Sequence, residues 1–248
     1  MSQNPARSER LAALRAEVRA IESAGSAGGG ECLPFGVDAI DSRIGGGLEV
    51  AALHEVAGAS PALSDDAAAT LFLAGIAARR PGIVLWAVRR RDLFAPGLAL
   101  AGLAPHRLLW AECTSDEEVL AVMEEGLRHG GLAAVVGEVG RAAMAAGRRL
   151  QLAAEEKGVI ALLFRRWRRS GEDPLAAPSG AVTRWRIGCA PSEKLAVPGV
   201  GRPRWQIALA RQRGGEPHHW IMEGTDAEGR LAPSADSGHG PSEARAAA

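Results

Sequence analysis

Three continuous apolar runs, at 83–88, 132–136 and 159–164, constrain this chain more than any other feature. Their lengths suit strands, and unbroken apolar character marks strands covered on both faces. Helical stretches at 66–80, 93–104, 116–129 and 140–157 alternate with them. The third has Ser115 or Thr114 as its cap and ends at Gly130-Gly131. Shorter strands are expected at 53–56 and 107–111. Strands alternating with helices at this spacing build βαβ units and a parallel sheet. After Phe164 the pattern changes: 182–187 and 205–211 alternate, with Trp205, Ile207 and Leu209 on one face. Gly214-Gly215 then turns the chain into 219–223. The expected fold is therefore α/β, a mainly parallel sheet flanked by helices, with antiparallel strands at the C-terminal edge.

The strand at 53–56 leads into Gly58-Ala59-Ser60-Pro61-Ala62-Leu63-Ser64-Asp65 and then a helix. Strand, glycine-containing loop and helix is the layout of a triphosphate site. Such a site needs G-x-x-x-x-G-K-[ST], because backbone N–H groups cradle the phosphates, Lys reaches the terminal ones and the hydroxyl holds Mg²⁺. Here the second Gly is missing, and the Lys and Ser/Thr positions read Ser64 and Asp65. Asp65 and Asp66 open the helix; they suit its dipole and repel an anion. Gly58, Ser60, Ser64 and Asp65 thus form a degenerate phosphate loop, and no ATP or Mg²⁺ is expected in it.

Composition narrows the class. A chain of 248 residues builds one sizeable core plus tails. Its three cysteines, Cys32, Cys113 and Cys189, are scattered, which gives neither a metal motif nor a disulfide framework. No apolar run approaches the ~20 residues that span a bilayer, so a cytoplasmic location is expected. The net charge of zero hides an asymmetry: residues 165–213 hold 11 basic and 3 acidic groups, a net of +8. That block faces an anion, or is an arginine-rich solvated surface.

The ends form separate pieces. Leu11, Leu14, Val18 and Ile21 make one helical stripe within residues 7–22. A helix of this size docks its stripe on its own domain or on another subunit. The expected layout is an amphipathic helix over 1–24, a linker over 25–30, a main domain over 31–224 and a disordered tail over 225–248.

The order of these elements resembles the RecA recombinase core, from about residue 5 to 213. The residues that carry the likeness are Phe35-Gly36-x-Asp38-x-x-Asp41, Gly45-Gly46-Gly47-Leu48, the loop at Gly58 and the strands at Trp86 and Val135-Val136. With the run Trp205-x-x-x-Leu209-x-Arg211-x-Arg213-Gly214-Gly215, the chain looks like the ImuA family, RecA-like proteins without intact nucleotide motifs. That resemblance implies a part in SOS-type, damage-induced mutagenesis by translesion synthesis. It also implies as partners an ImuB-like Y-family protein, an error-prone replicative-type polymerase complex and RecA, with homo-oligomers a further option. Where RecA proteins place a catalytic Glu, this chain has Val88. Glu138 stands one position away from the second acidic motif, and there is no Tyr to pack on adenine. No enzymatic turnover is expected.

In RecA proteins the loop after the strand matching 159–164 touches single-stranded DNA. Here it opens Arg165-Arg166-Trp167-Arg168-Arg169. Arginine neutralises phosphates and an interleaved Trp stacks a base; the same guanidinium groups also suit an acidic protein surface. Arg204, Arg211 and Arg213 extend this candidate DNA or partner surface. Two alternative readings are a SulA-like inhibitor acting on a protein partner and a RecA-type ATPase. Trp185 and Trp205 are expected in the core, as is a satisfied His54.

Overall fold

The computed structural model describes residues 30–167, 171–192 and 201–234, together with Arg10 and Gly199. The proposed stripe of Leu11, Leu14, Val18 and Ile21 lies outside the described residues, as do Arg168 and Arg169. A small antiparallel pair, β1 (Cys32–Leu33) and β2 (Leu48–Glu49), brackets the short helix α1 (Asp38–Asp41). The Asp41 carboxylate accepts hydrogen bonds from the backbone of Phe35, Gly36 and Val37 at 2.7, 2.8 and 3.1 Å. One side chain therefore holds the turn that delivers Phe35 to the core.

The main sheet has nine strands: β3 (Leu53–Gly58), β4 (Val84–Val88), β5 (Leu108–Glu112), β6 (Ala134–Val139), β7 (Ile160–Arg165), β8 (Thr183–Ala190), β9 (Arg204–Gln212), β10 (His218–Glu223) and β11 (Ala232–Pro233). Their order is β11-β10-β9-β8-β3-β7-β6-β4-β5. From β5 through β8 all pairings are parallel, and from β8 outward all are antiparallel. The expected antiparallel edge is present and one short strand longer.

Among the described residues four helices flank the sheet: α2 (Leu63–Ala78) and α3 (Ala95–Leu100) on one side, α4 (Asp116–His129) and α5 (Met144–Lys157) on the other. Period-two alternation divides the strand side chains between the two cores. Ala134 and Val136 face the first, and Val135 and Val139 face the second. Because both faces are covered, the central strands carry apolar residues at nearly every position, as their sequence implied. The first core is aromatic: Phe35 stacks on Phe72 at 5.7 Å, and Trp185 contacts Phe35, Phe72 and Trp220. Helix α4 approaches β6 at Gly137, where a Cβ would lie 2.2 Å from Met123 Sδ. Ser115 caps α4 by accepting from Glu118 N.

Several boundaries differ from expectation: the helices expected over 93–104 and 140–157 are shorter, and the strand expected over 182–187 runs to Ala190. Helix α2 begins at Leu63, within the degenerate loop, three residues before the expected start at 66. The disorder expected from residue 225 does not hold through Ser234. Leu231 is buried, and Thr225 and Gly229 lie on α2 against Gly75, where a Cβ would stand 2.3 Å from Thr225 Cγ2. A polar, glycine-rich composition suggested a tail; the glycines instead permit close backbone approach.

His54 is buried, as expected. Its Nε2 donates to the Glu49 carbonyl at 2.8 Å, which leaves Nδ1 to accept from Thr183 Oγ1 at 2.7 Å. That hydroxyl in turn accepts from Trp185 Nε1 at 2.6 Å. Burial lowers the imidazole pKa to about 4, against the bond to Glu49. A folded pKa below the unfolded value of about 6.5 makes a contribution present above pH 6.5 and lost as pH falls toward 4. Between pH ~7.5 and ~5 this group alone is expected to remove about 2 kcal/mol of stability. Denaturant unfolding at both pH values, in the wild type and in His54→Gln, checks it. Equal losses in both proteins contradict the assignment.

Candidate functional site

The loop between β3 and α2 is filled by its own side chains. Ser60 Oγ donates to Asp65 Oδ2 at 2.6 Å, and Asp65 Oδ1 accepts from the Cys189 backbone N–H at 2.9 Å. The Ala62 N–H, which a phosphate oxygen could otherwise use, points at Ser60 Oγ at 3.2 Å. The Ser64 carbonyl sits 3.3 Å from Cys189 Sγ. Trp167 Nε1 donates to the Gly58 carbonyl at 2.8 Å and closes the loop from outside. Asp65 is thus a built-in anion at the helix N-terminus, placed where the dipole favours negative charge.

Beside it, Arg166 joins three elements. Its Nε donates to Glu138 Oε2 at 2.6 Å, Nη1 to Asp66 Oδ2 at 3.1 Å and Nη2 to Asp92 Oδ1 at 3.3 Å. The guanidinium stacks 4.8 Å above the Phe164 ring. The other oxygen of Glu138 accepts from Trp86 Nε1 at 2.8 Å. Burial pushes the Glu138 and Asp66 carboxyls up, and in both Arg166 pulls the other way. A cleft of about 250 Å³ opens next to the cluster, lined by Arg89, Arg90, Asp116, Gly140, Arg166 and Trp167. Its arginines are engaged: Arg89 pairs with Asp116 and Arg90 with Asp92.

The fold implies a nucleotide at this place, and the donor set does not fit one. Asp65, Asp66 and Glu138 present carboxylates where phosphate oxygens need donors, and the basic groups at hand are engaged: Arg166 with three acids, Arg90 with Asp92 and Arg89 with Asp116. Asp66 Oδ1 is buried without a hydrogen-bond partner and lies 3.2 Å from where a Cβ on Gly58 would be. Glu138 faces this cluster as a structural ion-pair member.

The arginine-rich run is corrected in part. Strand β7 continues through Arg165, so alternation buries that side chain instead of leading it into a loop. Arg165 Nη1 donates to Glu55 Oε1 at 2.9 Å, and Arg184 Nε donates to Glu55 Oε2 at 2.8 Å. Ser179 Oγ adds a bond to Glu55 at 2.9 Å. Glu55 is 1% exposed, so this triad is interior. Arg165 and Arg166 therefore face protein carboxylates, and the Trp167 N–H faces backbone. Arg211 and Arg213 do stay exposed, donating to the carbonyls of Ser179 and Gly180 at 3.1 and 3.5 Å, and Arg213 also lies within the field of the Glu49 carboxylate. Arg204 lies half-buried on β9.

Sequence reasoning passed over Glu55 and Asp92 and gave Trp86 and Arg184 no part in the site. The signal was available for two acids: Glu55 and Glu138 each interrupt a strand otherwise built for burial, and a buried carboxylate demands a cation.

Removing Arg166 leaves Glu138, 3% exposed, as an uncompensated charge. Arg166→Ala is expected to cost about 3–5 kcal/mol in denaturant unfolding. The double variant Arg166→Met with Glu138→Gln should recover most of it. A double variant no more stable than Arg166→Ala contradicts the pairing.

No family model matches the sequence. Protein ImuA of Caulobacter vibrioides (strain NA1000 / CB15N) is 38% identical over 221 residues, covering 84% of this chain and 86% of the relative. The protein of the same name from strain ATCC 19089 / CIP 103742 / CB 15 matches equally. Among solved structures, the RadB recombinase aligns with a TM-score of 0.52 and 17% identity, over 82% of this chain and 99% of that one. The RadB likeness shows a RecA-like fold, and identity at the level of the Caulobacter protein over most of both chains shows the family: this protein belongs to the ImuA family.

Proposed function

We propose that this protein is a non-catalytic RecA-like accessory factor of damage-induced, error-prone translesion DNA synthesis. In this reading it holds together an ImuB-like Y-family protein, a replicative-type error-prone polymerase complex and RecA. Its working location is the cytoplasm; no helix among the described residues is long and apolar enough to cross a membrane. The observation that carries the non-catalytic part is the Asp65–Asp66–Arg166–Glu138 arrangement. Phosphoryl transfer depends on positioned cationic groups around the phosphates. Here the position of the phosphate lysine holds Ser64, and the nearest guanidinium is spent on internal carboxylates. What the fold then offers is surface.

Single-stranded DNA is a further proposed ligand, through Arg211 and Arg213 together with Arg168 and Arg169 from outside the described residues. Arg211 and Arg213 each donate one N–H to a carbonyl, and Arg213 also faces Glu49; the guanidinium N–H groups that remain suit phosphate.

Three measurements test this. Purified full-length protein, with and without single-stranded DNA, should release phosphate from ATP at background; a turnover of about 0.1 per second or more overturns the non-catalytic reading. Tagged protein should capture a Y-family-like subunit and a polymerase subunit from DNA-damaged cells of its own source, and recovery of neither counts against the scaffold. Replacing Arg211 and Arg213 by Gln should lower the log–log salt slope of single-strand binding by about 0.7 per lost phosphate contact. A slope unchanged by the pair removes these residues from the DNA surface.

A further inference from the structure

Helices α2 and α3 leave a groove of about 320 Å³ between them, walled by Leu63, Leu71, Leu93 and Phe94. Leu63 is 80% exposed and Phe94 69% exposed. Large apolar side chains rimming a concave surface mark a contact site, unlike singly scattered ones. The groove has a polar end at Asp66, Asp92 and Arg166. Arg166 and Arg90 there face three acids, Asp66, Asp92 and the neighbouring Glu138, so that end holds more carboxylate than cation.

Residues 7–22 carry the matching pattern. Leu11, Leu14, Val18 and Ile21 form one stripe, and Arg15 and Arg19 flank it on one side, four residues apart. A helix of this length is marginal in water unless its apolar face is covered. The described chain resumes at Gly30, and Glu31 pairs with Arg80, just beyond the C-terminal end of α2. From Ile21 to Gly30 the chain reaches up to about 30 Å when extended. The 16 residues of α2 span about 24 Å. The groove, beside the N-terminal half of α2, is therefore within reach of the same molecule. A tether this short also sets an effective concentration near the millimolar range, which favours the attached segment over a second copy.

We propose that residues 7–22 seat their apolar stripe in the α2–α3 groove of their own chain, with Arg15 and Arg19 turned toward Asp92 and Asp66. The docking is independent of the function proposed above.

Hydrogen exchange on full-length protein tests it, against a Leu14→Asp/Val18→Asp variant that leaves the RecA-like core unaltered. Exchange across 63–71 and 93–101 should be about tenfold slower in the wild type. The difference should be the same at about 1 and about 100 µM protein, with a monomer mass by light scattering at both. The variant should also bind the dye ANS where the wild type does not. Protection that grows with concentration alongside a dimer mass overturns the proposal in favour of a second copy. Identical exchange in the two proteins overturns it as well, and leaves the groove to a foreign partner.

Discussion

The guanidinium of Arg166 is where three separate elements are tied. It takes Asp66 from the start of α2, Glu138 from the end of β6 and Asp92 from the segment before α3, while resting on Phe164 of the strand just before it. In a nucleotide-binding RecA-like site, phosphate and a divalent cation would bridge the same region. Here one side chain does so from inside the chain. The exchange has a physical cost. Ion pairs taken out of water are weak sources of net stability, because desolvation offsets most of the attraction. What they confer is geometry: a carboxylate buried like Glu138 tolerates few arrangements other than the one that supplies its cation.

A second ionic centre repeats the device on the opposite face. Glu55 receives Arg165, Arg184 and Ser179, and the two arginines leave Arg165 Nε and Arg184 Nη2 buried without partners. Two cations on one carboxylate is an imbalance that an apolar core would not need. It joins β3, β7 and β8, the place where the sheet changes from parallel to antiparallel. The join is therefore electrostatic on one face and aromatic, through Trp185 and Phe164, on the other.

The strands of the fold were legible because parallel sheets write themselves as unbroken apolar runs, and 83–88, 132–136 and 159–164 are such runs. The inward face of β9 was legible for a similar reason: Trp205, Ile207 and Leu209 repeat with period two. The destination of the arginines was not. Arg165 finds Glu55 across 110 residues and Arg166 finds Asp66 across 100. Charge counted along a chain carries no record of partners so distant, and a basic cluster reads as surface until its carboxylates are placed. The packed segment around Thr225 escaped for a different reason. Small and polar residues lower the apparent drive to fold, yet the same smallness is what lets Gly229 lie against Gly75.

The position of β3 bears on how the molecule is made. It is an early strand in the chain, yet it sits between β7 and β8, and its ties to Glu55 and His54 span 110 and 129 residues. At ~5–20 residues per second on the ribosome, about 5 to 20 seconds pass before the nearer neighbour exists. During that time both edges of β3 are open. Such long-range closure slows folding and exposes an adhesive strand to other nascent chains. The charged residue in that strand, Glu55, is then also its protection: until Arg165 and Arg184 arrive, a bare carboxylate keeps the strand hydrated.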